Sequence, residues 1–203
     1  MNRFLPFLLG FFCMTAGAVD TPPDVLIKNT ANEVLTIIKQ DKDIQAGNQA
    51  KVHSLVDAKV LPHFDFNRMT RLAVGKSWNN ASATQKDALV KEFRNLLVRT
   101  YASSLASYRD QVIEYKPLRY DGTQSEVTVN TQIKQPGAQP IPIDYAMAKT
   151  DGAWKVYDIV VDGVSLVTNY RSSFAAEIKK SGIDGLIQTL SAKNQQESGP
   201  SKK

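Results

Sequence analysis

Only two histidines are present in this chain, and they are its first candidates for metal or acid–base chemistry. His53 and His63 have no third ligand near them at the spacing that zinc sites use. The sequence therefore predicts no metal site. His53 is instead expected on the polar side of a helix, and His63, directly after Pro62, is expected at a turn.

A second candidate is the group formed by His63, Asp65 and Arg68, which could act as an acid–base cluster. General acid–base catalysis needs a side chain with a tuned pKa beside a bound substrate, and nothing in the sequence places these residues in a pocket. The simpler interpretation is that the Asp65 carboxylate caps a short helix, with Phe64 and Phe66 packed beneath it.

Serine chemistry and cofactor binding have no motif to support them. The chain has no G-x-S-x-G, because Gly163-Val164-Ser165 lacks the second glycine. It also has neither G-x-G-x-x-G nor a phosphate-binding loop. Ser165 is expected to cap the helix that begins beside it, since its hydroxyl can accept a backbone N–H. We predict no catalytic residue, no cofactor and no enzymatic activity.

Asp158 is an unexpected charge within the largely apolar run 154–161. A buried carboxylate must be paired or hydrogen-bonded. Arg171, on the element that follows, is the predicted partner, and we interpret the two residues as a structural ion pair.

The run 154–174 supplies the elements around these residues, as a strand that turns at Asp162-Gly163 into an amphipathic helix. The alternation of strand side chains predicts two apolar faces, one with Trp154, Val156 and Val160 and the other with Tyr157, Ile159 and Val161. Apolar residues also recur at helical spacing, namely Leu166, Val167, Tyr170, Phe174 and Ile178. This large apolar surface favours holding an apolar ligand over transforming one.

Helices are predicted in the first half of the chain and strands in the second. The best-defined helix spans 84–108, where Ser82 and Gln85 form a capping box and a long apolar stripe follows. Shorter helices are expected after Pro22-Pro23, at 48–60 and at 65–73. Strands are predicted at 111–120, 127–133, 141–147 and 154–161, with Asp-Gly turn signals between them. The predicted class is α+β, with a curved antiparallel sheet of about four strands packed against several helices.

The N-terminus has the pattern of a secretory signal peptide, predicted at residues 1–18. Arg3 precedes a short apolar segment, and Ala16-Gly17-Ala18 is a cleavage site. The apolar segment is shorter than the about 20 residues that a spanning helix needs. Cleavage after Ala18 would remove Cys13, the chain's only cysteine. We then expect a single domain at 19–192 and a disordered polar tail at 193–203.

The charge balance is mildly basic, with 25 Lys and Arg against 20 Asp and Glu. The basic residues are spread along the chain, and no nucleic-acid-binding motif is present. Nucleic acid is therefore not an expected partner.

Four segments carry a family resemblance when they are taken together and in order. They are LPHFDFNRMTRLAVGKSW (61–78), TQKDALVKEFRNLLVRTYASSL (84–105), WKVYDIVVDGVSLVTNYRSSF (154–174) and GIDGLIQTL (182–190). Each segment alone is weakly specific. Their joint presence, over roughly residues 25–190, resembles the MlaC or toluene-tolerance family of periplasmic phospholipid-binding proteins of a lipid ABC transport system.

The resemblance implies a cone-like fold, with the core of nuclear-transport-factor-like proteins and extra helices. Phospholipid acyl chains would enter a slot between the sheet and the helices, and the phospholipid would be the only ligand. The residues expected to line this slot are Val129, Ile133, Ile143, Tyr145, Met147, Tyr157, Ile159, Val164, Leu166 and Tyr170. The favoured lining is the strand face that carries Val129, Ile143, Tyr145 and Met147. As an alternative to the pairing of Arg171 with Asp158, Arg171 or a neighbouring lysine would contact a lipid phosphate at the mouth of the slot.

The resemblance also implies a location and partners. The protein would be a periplasmic monomer that docks on an inner-membrane lipid ABC transporter and on an outer-membrane lipoprotein–porin complex. It would thereby keep phospholipid out of the outer leaflet of the outer membrane. Helices around residues 61–80 are expected to act as gates that loosen when the lipid is handed over.

Two other functions remain open at the level of the sequence. A cone-like fold could host an isomerase-like or dehydratase-like enzyme that uses Asp158 or the His63 and Asp65 pair. A pure adaptor with a filled core would bind no lipid.

Overall fold

The computed structural model describes residues 21–108 and 110–196. The predicted signal peptide at 1–18 lies outside these residues. Helices α1 (Pro23–Gln40), α2 (Lys42–Gln45), α3 (Gln49–Lys59), α4 (Phe66–Val74) and α5 (Ala83–Ala106) precede a sheet, and α6 (Leu166–Gln196) follows it. Short 3₁₀ segments, Leu61–His63 and Gly75–Asn80, flank α4. Within the described ranges, no helix has the length and hydropathy that a membrane span requires.

The sheet contains the strands β1 (Val112–Tyr115), β2 (Glu126–Lys134), β3 (Ile141–Thr150), β4 (Ala153–Val161) and β5 (Val164–Ser165). Their order in space is their order in the chain, and each neighbouring pair is antiparallel. The predicted α+β class is confirmed, and so is the meander. The sheet has one strand more than predicted, because the two residues of β5 are too few for an alternating pattern to be visible.

One irregularity in β4 changes which of its residues share a face. Ile159 lies opposite Tyr145, whereas Val156 lies opposite Met147, so β4 carries one extra residue at this point. Side chains directly opposite each other share a face, and Val156 and Ile159 therefore lie on the same face. Their predicted placement on opposite faces is wrong, since strict alternation does not hold across a β-bulge.

We call the sheet face that carries Val129, Met147 and Val156 the inner face. These three side chains are buried together with Ile27 of α1 and with Trp154. Leu26 of α1 and Phe64 also pack against this group. The N-terminal half of α1 therefore covers the inner face.

Helix α5 connects two further apolar clusters. Near its N-terminus, Leu89 and Phe93 are fully buried against residues of α4 and α6. Near its C-terminus, Ala102 is buried against α1, α2 and α3. The predicted capping box at Ser82 and Gln85 is confirmed, since each side chain accepts a hydrogen bond from the backbone N–H of the other residue. The cluster of α4, α5 and α6 is called the helix cluster below.

Helix α6 is interrupted at Gly182, where φ is 73° and ψ is −175°, a conformation that is open almost only to glycine. After this kink, Leu186 and Leu190 return to the helix cluster. The Asn194 side-chain amide donates to the Glu92 carbonyl at 3.0 Å and to its carboxylate at 2.7 Å. Residues 193–196 of the predicted disordered tail are therefore helical, because Asn194 is anchored to α5. Residues 197–203 lie outside the described ranges.

Candidate functional site

The residues predicted to line a slot fall into two groups in the structure. The first group shares the inner face, as the strand pairing requires. Its members are Val129, Ile133, Ile143, Tyr145, Met147 and Ile159. Val129 and Met147 are buried, and Tyr145 and Ile159 pack half-buried against them. The favoured set of Val129, Ile143, Tyr145 and Met147 does share one face.

Two residues of the second group, Tyr157 and Tyr170, lie in the helix cluster, whereas Val164 lies on the inner face, since it is opposite Val161, which is opposite Ile143. Tyr170 packs edge-on against Phe93 of α5, with ring centroids 5.2 Å apart, and Tyr157 also packs against the helix cluster. Leu166 is buried at the start of α6. Val164 is 55% exposed, so its side chain is largely in solvent. The first group therefore belongs to the apolar surface that α1 covers.

A small set of hydroxyl groups interrupts this apolar surface. Thr131 is 2% exposed, and its Oγ1 donates to the Ile143 carbonyl at 3.0 Å. Burial raises the pKa of Tyr145 to about 12, although a hydrogen bond with Thr131 opposes the shift. The phenol therefore stays neutral at physiological pH.

Tyr115 lies directly opposite Thr131 on β1. Burial raises the pKa of Tyr115 as well. Its hydroxyl oxygen is buried and has no hydrogen-bond partner in the part of the chain that the structure describes. Sequence reasoning missed both Tyr115 and Thr131. The sequence did contain a signal for Thr131, because this polar residue occupies an inward-facing position in a strand whose apolar and polar residues alternate.

Two lysines of α1 lie beside tyrosines at the β1 side of the sheet. The Lys28 ammonium is 5.9 Å from the centroid of the Tyr115 ring, and the Lys39 ammonium is 5.7 Å from the centroid of the Tyr108 ring. Both distances are within the range of cation–π attraction. This border of the inner face therefore carries positive charge, which sequence reasoning did not anticipate.

Asp158 and Arg171 do not pair, which corrects the predicted ion pair. The Asp158 carboxylate accepts from the Ser165 hydroxyl at 2.5 Å and from the backbone N–H of Val167 at 3.1 Å. Arg171 instead extends over Gly75, with its Nε 3.5 Å from where a β-carbon would stand. Asp158 therefore holds the first turn of α6, where a negative charge is favourable.

The predicted cap at Ser165 is confirmed, because the backbone N–H of Thr168 donates to its Oγ at 3.0 Å. Together with Asp158, this hydroxyl satisfies the free N–H groups at the start of α6. Both side chains are thus used to begin a helix.

The group of His63, Asp65 and Arg68 does not form an acid–base cluster. The Asp65 carboxylate accepts from the Arg68 backbone N–H at 2.8 Å, which confirms the predicted cap. The Arg68 guanidinium donates to Glu126 at 2.8 Å and stacks 3.6 Å above the Tyr157 ring. Burial lowers the pKa of His63, and the nearby Lys155 adds to the shift. Over residues 21–108 and 110–196, no group of potential ligands is arranged to hold a metal ion.

His53 lies at a polar cavity between α3, α5 and the end of α6, with a volume of about 440 Å³. Its lining includes the ion pair between Arg94 and Asp57, whose closest atoms are 2.7 Å apart. Charged walls of this kind do not suit acyl chains. The inner face of the sheet remains the candidate site for an apolar ligand.

Comparison with known proteins finds a matching family and a solved structure that holds a phospholipid. The family model described as MlaC protein matches residues 28–192. A solved structure of a phospholipid-binding protein from Ralstonia solanacearum, in complex with a phospholipid, is 38% identical with a TM-score of 0.81. The match covers 89% of this chain and 99% of that one.

Two curated relatives match over most of their length. The intermembrane phospholipid transport system binding protein MlaC of Haemophilus influenzae is 29% identical, over 92% of this chain and 89% of the relative. The toluene tolerance protein ttg2D of Pseudomonas putida is 24% identical, over 91% of this chain and 85% of the relative.

Proposed function

The chain belongs to the MlaC protein family, and on this basis we propose that it is a phospholipid carrier. It buries acyl chains against the inner face of its sheet and leaves the headgroup toward solvent. The observation that carries the proposal is the apolar inner face between the sheet and α1, seen in a chain that matches a phospholipid-bound relative at a TM-score of 0.81.

The physical task of such a carrier is to compete with a bilayer for the lipid. Each methylene removed from water is worth about 0.8 kcal/mol, so one long acyl chain is worth on the order of 12 kcal/mol. A carrier must offer nearly the same burial, or the lipid stays in the membrane. It must not offer much more, or the lipid is not released. A surface built mainly from Val, Ile, Met and Tyr side chains gives burial with few polar contacts, which suits this balance.

The proposed route runs through the periplasm. We propose that the signal peptide at 1–18 directs export, and that the mature protein moves as a monomer between an outer-membrane lipoprotein–porin complex and an inner-membrane lipid ABC transporter. Its role would be to keep phospholipid out of the outer leaflet of the outer membrane. The relatives' names, which refer to intermembrane phospholipid transport and to toluene tolerance, support this proposal.

We propose a binding function without catalysis. The candidate acid–base groups have structural tasks, because Asp158 holds the start of α6 and Asp65 the start of α4. His63 follows Pro62, whose carbonyl accepts from Lys155 at 2.5 Å. These contacts give the enzymatic alternative no specific support.

The proposal is tested by native mass spectrometry of the purified protein, followed by organic extraction of whatever is bound. We expect a mass shift that matches phospholipid, and a phosphate-containing lipid in the extract. An apoprotein mass that persists after incubation with phospholipid vesicles would contradict the carrier function and favour an adaptor.

A further inference from the structure

Among the residues that the structure describes, one buried hydroxyl group of the inner face has no hydrogen-bond partner. The Thr131 hydroxyl donates to the Ile143 carbonyl at 3.0 Å. The Tyr115 hydroxyl is buried beside them and has no partner among the described residues. Buried polar groups in folded proteins are almost always hydrogen-bonded. A buried donor that lacks an acceptor at the border of a ligand surface therefore points to an acceptor on the ligand.

The surroundings of Tyr115 restrict what that acceptor is. The neighbouring inner-face side chains are largely apolar, so a fully charged group would be costly here. A neutral carbonyl oxygen would be less costly to bury here, because the Tyr115 phenol can donate a hydrogen bond to it. Diacyl lipids carry such oxygens in their ester groups, at the junction between the acyl chains and the glycerol.

The charge expected next to that junction is also present. A phospholipid's phosphate is only a few bonds from its ester carbonyls. Lys28 is exposed, and its ammonium lies 5.9 Å from the Tyr115 ring centroid. Within residues 21–108 and 110–196, no acidic side chain pairs with Lys28. Its charge is therefore available to a phosphate.

We propose that Tyr115 and Lys28 form a subsite for the glycerol region of a diacyl phospholipid. The Tyr115 hydroxyl donates to an acyl ester carbonyl, and Lys28 attracts the phosphate at the adjoining rim between α1 and β1. The acyl chains run from this point over Val129 and Met147. This assignment rests on the proposed carrier function and gives the bound lipid a direction within it.

The first experiment measures whether Tyr115 recognises an ester. Lipid-stripped protein is titrated with a diester phosphatidylglycerol and with its dialkyl ether analogue of the same headgroup and chain length. One neutral hydrogen bond corresponds to a preference of about five-fold for the diester. Tyr115→Phe should abolish this preference, whereas Tyr101→Phe, which alters an exposed tyrosine of α5, should keep it.

The outcomes separate the subsite from the carrier function. Equal binding of both lipids by the unaltered protein, or a preference that survives Tyr115→Phe, would overturn the subsite and leave the carrier function intact. If the unaltered protein binds neither lipid, the carrier function fails, and the subsite fails with it. Circular dichroism verifies that each variant is folded.

A second experiment tests the position of the phosphate. Lys28→Gln should weaken binding of phosphatidylglycerol by about two- to five-fold, as expected for an exposed charge pair, and leave binding of diacylglycerol unchanged. Lys179→Gln, which alters an exposed lysine of α6, should change neither affinity. Unchanged binding of phosphatidylglycerol by Lys28→Gln, or an equal loss for the two lipids, would overturn the assignment of Lys28.

Discussion

Among individual residues, Asp158 is a carboxylate in a largely apolar strand, where burial of its charge is unfavourable, and it stabilises the start of α6. It is a half-buried carboxylate on a largely apolar strand, and two donors from the start of α6 compensate for its burial. Hydrogen bonds to a charged group contribute about 1.5–3 kcal/mol each. The residue therefore joins β4 to α6 through its hydrogen bonds.

Asp158→Asn should destabilise the fold by about 1–2 kcal/mol, because an amide keeps one acceptor but loses the charge. Lipid binding at the inner face should be unchanged at temperatures where the variant is folded. The matched control is Asp162→Asn in the following turn, where φ is 50° and asparagine is well tolerated. Thermal unfolding of both variants is the measurement, and an unaltered melting temperature for Asp158→Asn would contradict this account.

A second residue-scale prediction compares Ile143 with Val164. Ile143→Glu places a carboxylate on the inner face and should lower the amount of co-purified lipid at least about ten-fold, since burying an unpaired charge costs several kcal/mol. Val164→Glu should retain lipid, because Val164 is 55% exposed. Lipid phosphate per mole of folded protein is the readout. Equal loss in both variants would contradict the assignment of the lipid surface to the covered part of the inner face.

The sequence could identify these side chains but not their partners. The capping roles of Ser82, Asp65 and Ser165 were predictable, because a cap bonds to residues within three positions of itself. Asp158 was assigned to Arg171 because opposite charges attract. Its actual donors are a hydroxyl and a backbone N–H. A backbone donor cannot be recognised from the sequence, because almost every residue type has the same N–H group.

At the scale of elements, the segment before α4 is held against the sheet by contacts of different kinds. Asp65 donates its backbone N–H to the Val156 carbonyl at 2.9 Å, and Lys155 donates to the Pro62 carbonyl at 2.5 Å. Arg68 adds an ion pair with Glu126 at 2.8 Å. Pro62, Asp65 and Arg68 belong to the region around 61–80 that is expected to act as a gate, and opening of this gate would have to break these contacts.

A disulfide between Phe64→Cys and Val156→Cys should therefore block lipid transfer between vesicles while leaving bound lipid in place. The two residues are partners in a parallel bridge, and strand neighbours at that spacing are within disulfide reach. Cys13 is replaced by serine so that no other thiol is present. The reduced form of the same protein is the control. Lipid transfer at the same rate in the oxidised and reduced forms would contradict the gate hypothesis.

Acid should weaken the pairing of β1 with β2 through Glu114. Hydrogen bonds from Lys116 and Lys134 lower the Glu114 pKa from an ordinary value of 4.5 to about 2. A lowered folded-state pKa gives stability that is present above pH 4.5 and is lost as the pH falls through about 2. Glu114→Gln should make the melting temperature less sensitive to pH in this window. An identical pH profile in the variant would contradict the assignment.

The elements themselves were largely predictable, and their registers were not. Alternation located β2 to β4, and helical spacing located α5, because both patterns are local. The bulge in β4, opposite Ala146 and Met147 of β3, could not be predicted, since it depends on how β3 and β4 pair. As a result, Ile159 was assigned to the wrong face.

For the whole molecule, the proposed function makes stability depend on cargo. Lipid that binds the folded state stabilises it by mass action, and an emptied apolar slot loses packing contacts. Stripping the lipid should therefore lower the melting temperature, and adding phospholipid should restore it. Calorimetry on loaded, stripped and reloaded protein is the measurement. Identical melting of the three forms would argue against burial of acyl chains.

The bridge between Phe64 and Val156 has a consequence for aggregation. β5 covers only the last residues of β4, so the rest of that strand would be an open sheet edge without a second neighbour. Open edges recruit other chains through their free N–H and C=O groups. The Phe64–Asp65 backbone occupies this edge at Val156. If the gate opened here in free solution, the exposed edge of β4 could pair with other chains and promote aggregation. Under the proposed function, lipid release is therefore best coupled to a receptor that covers this edge.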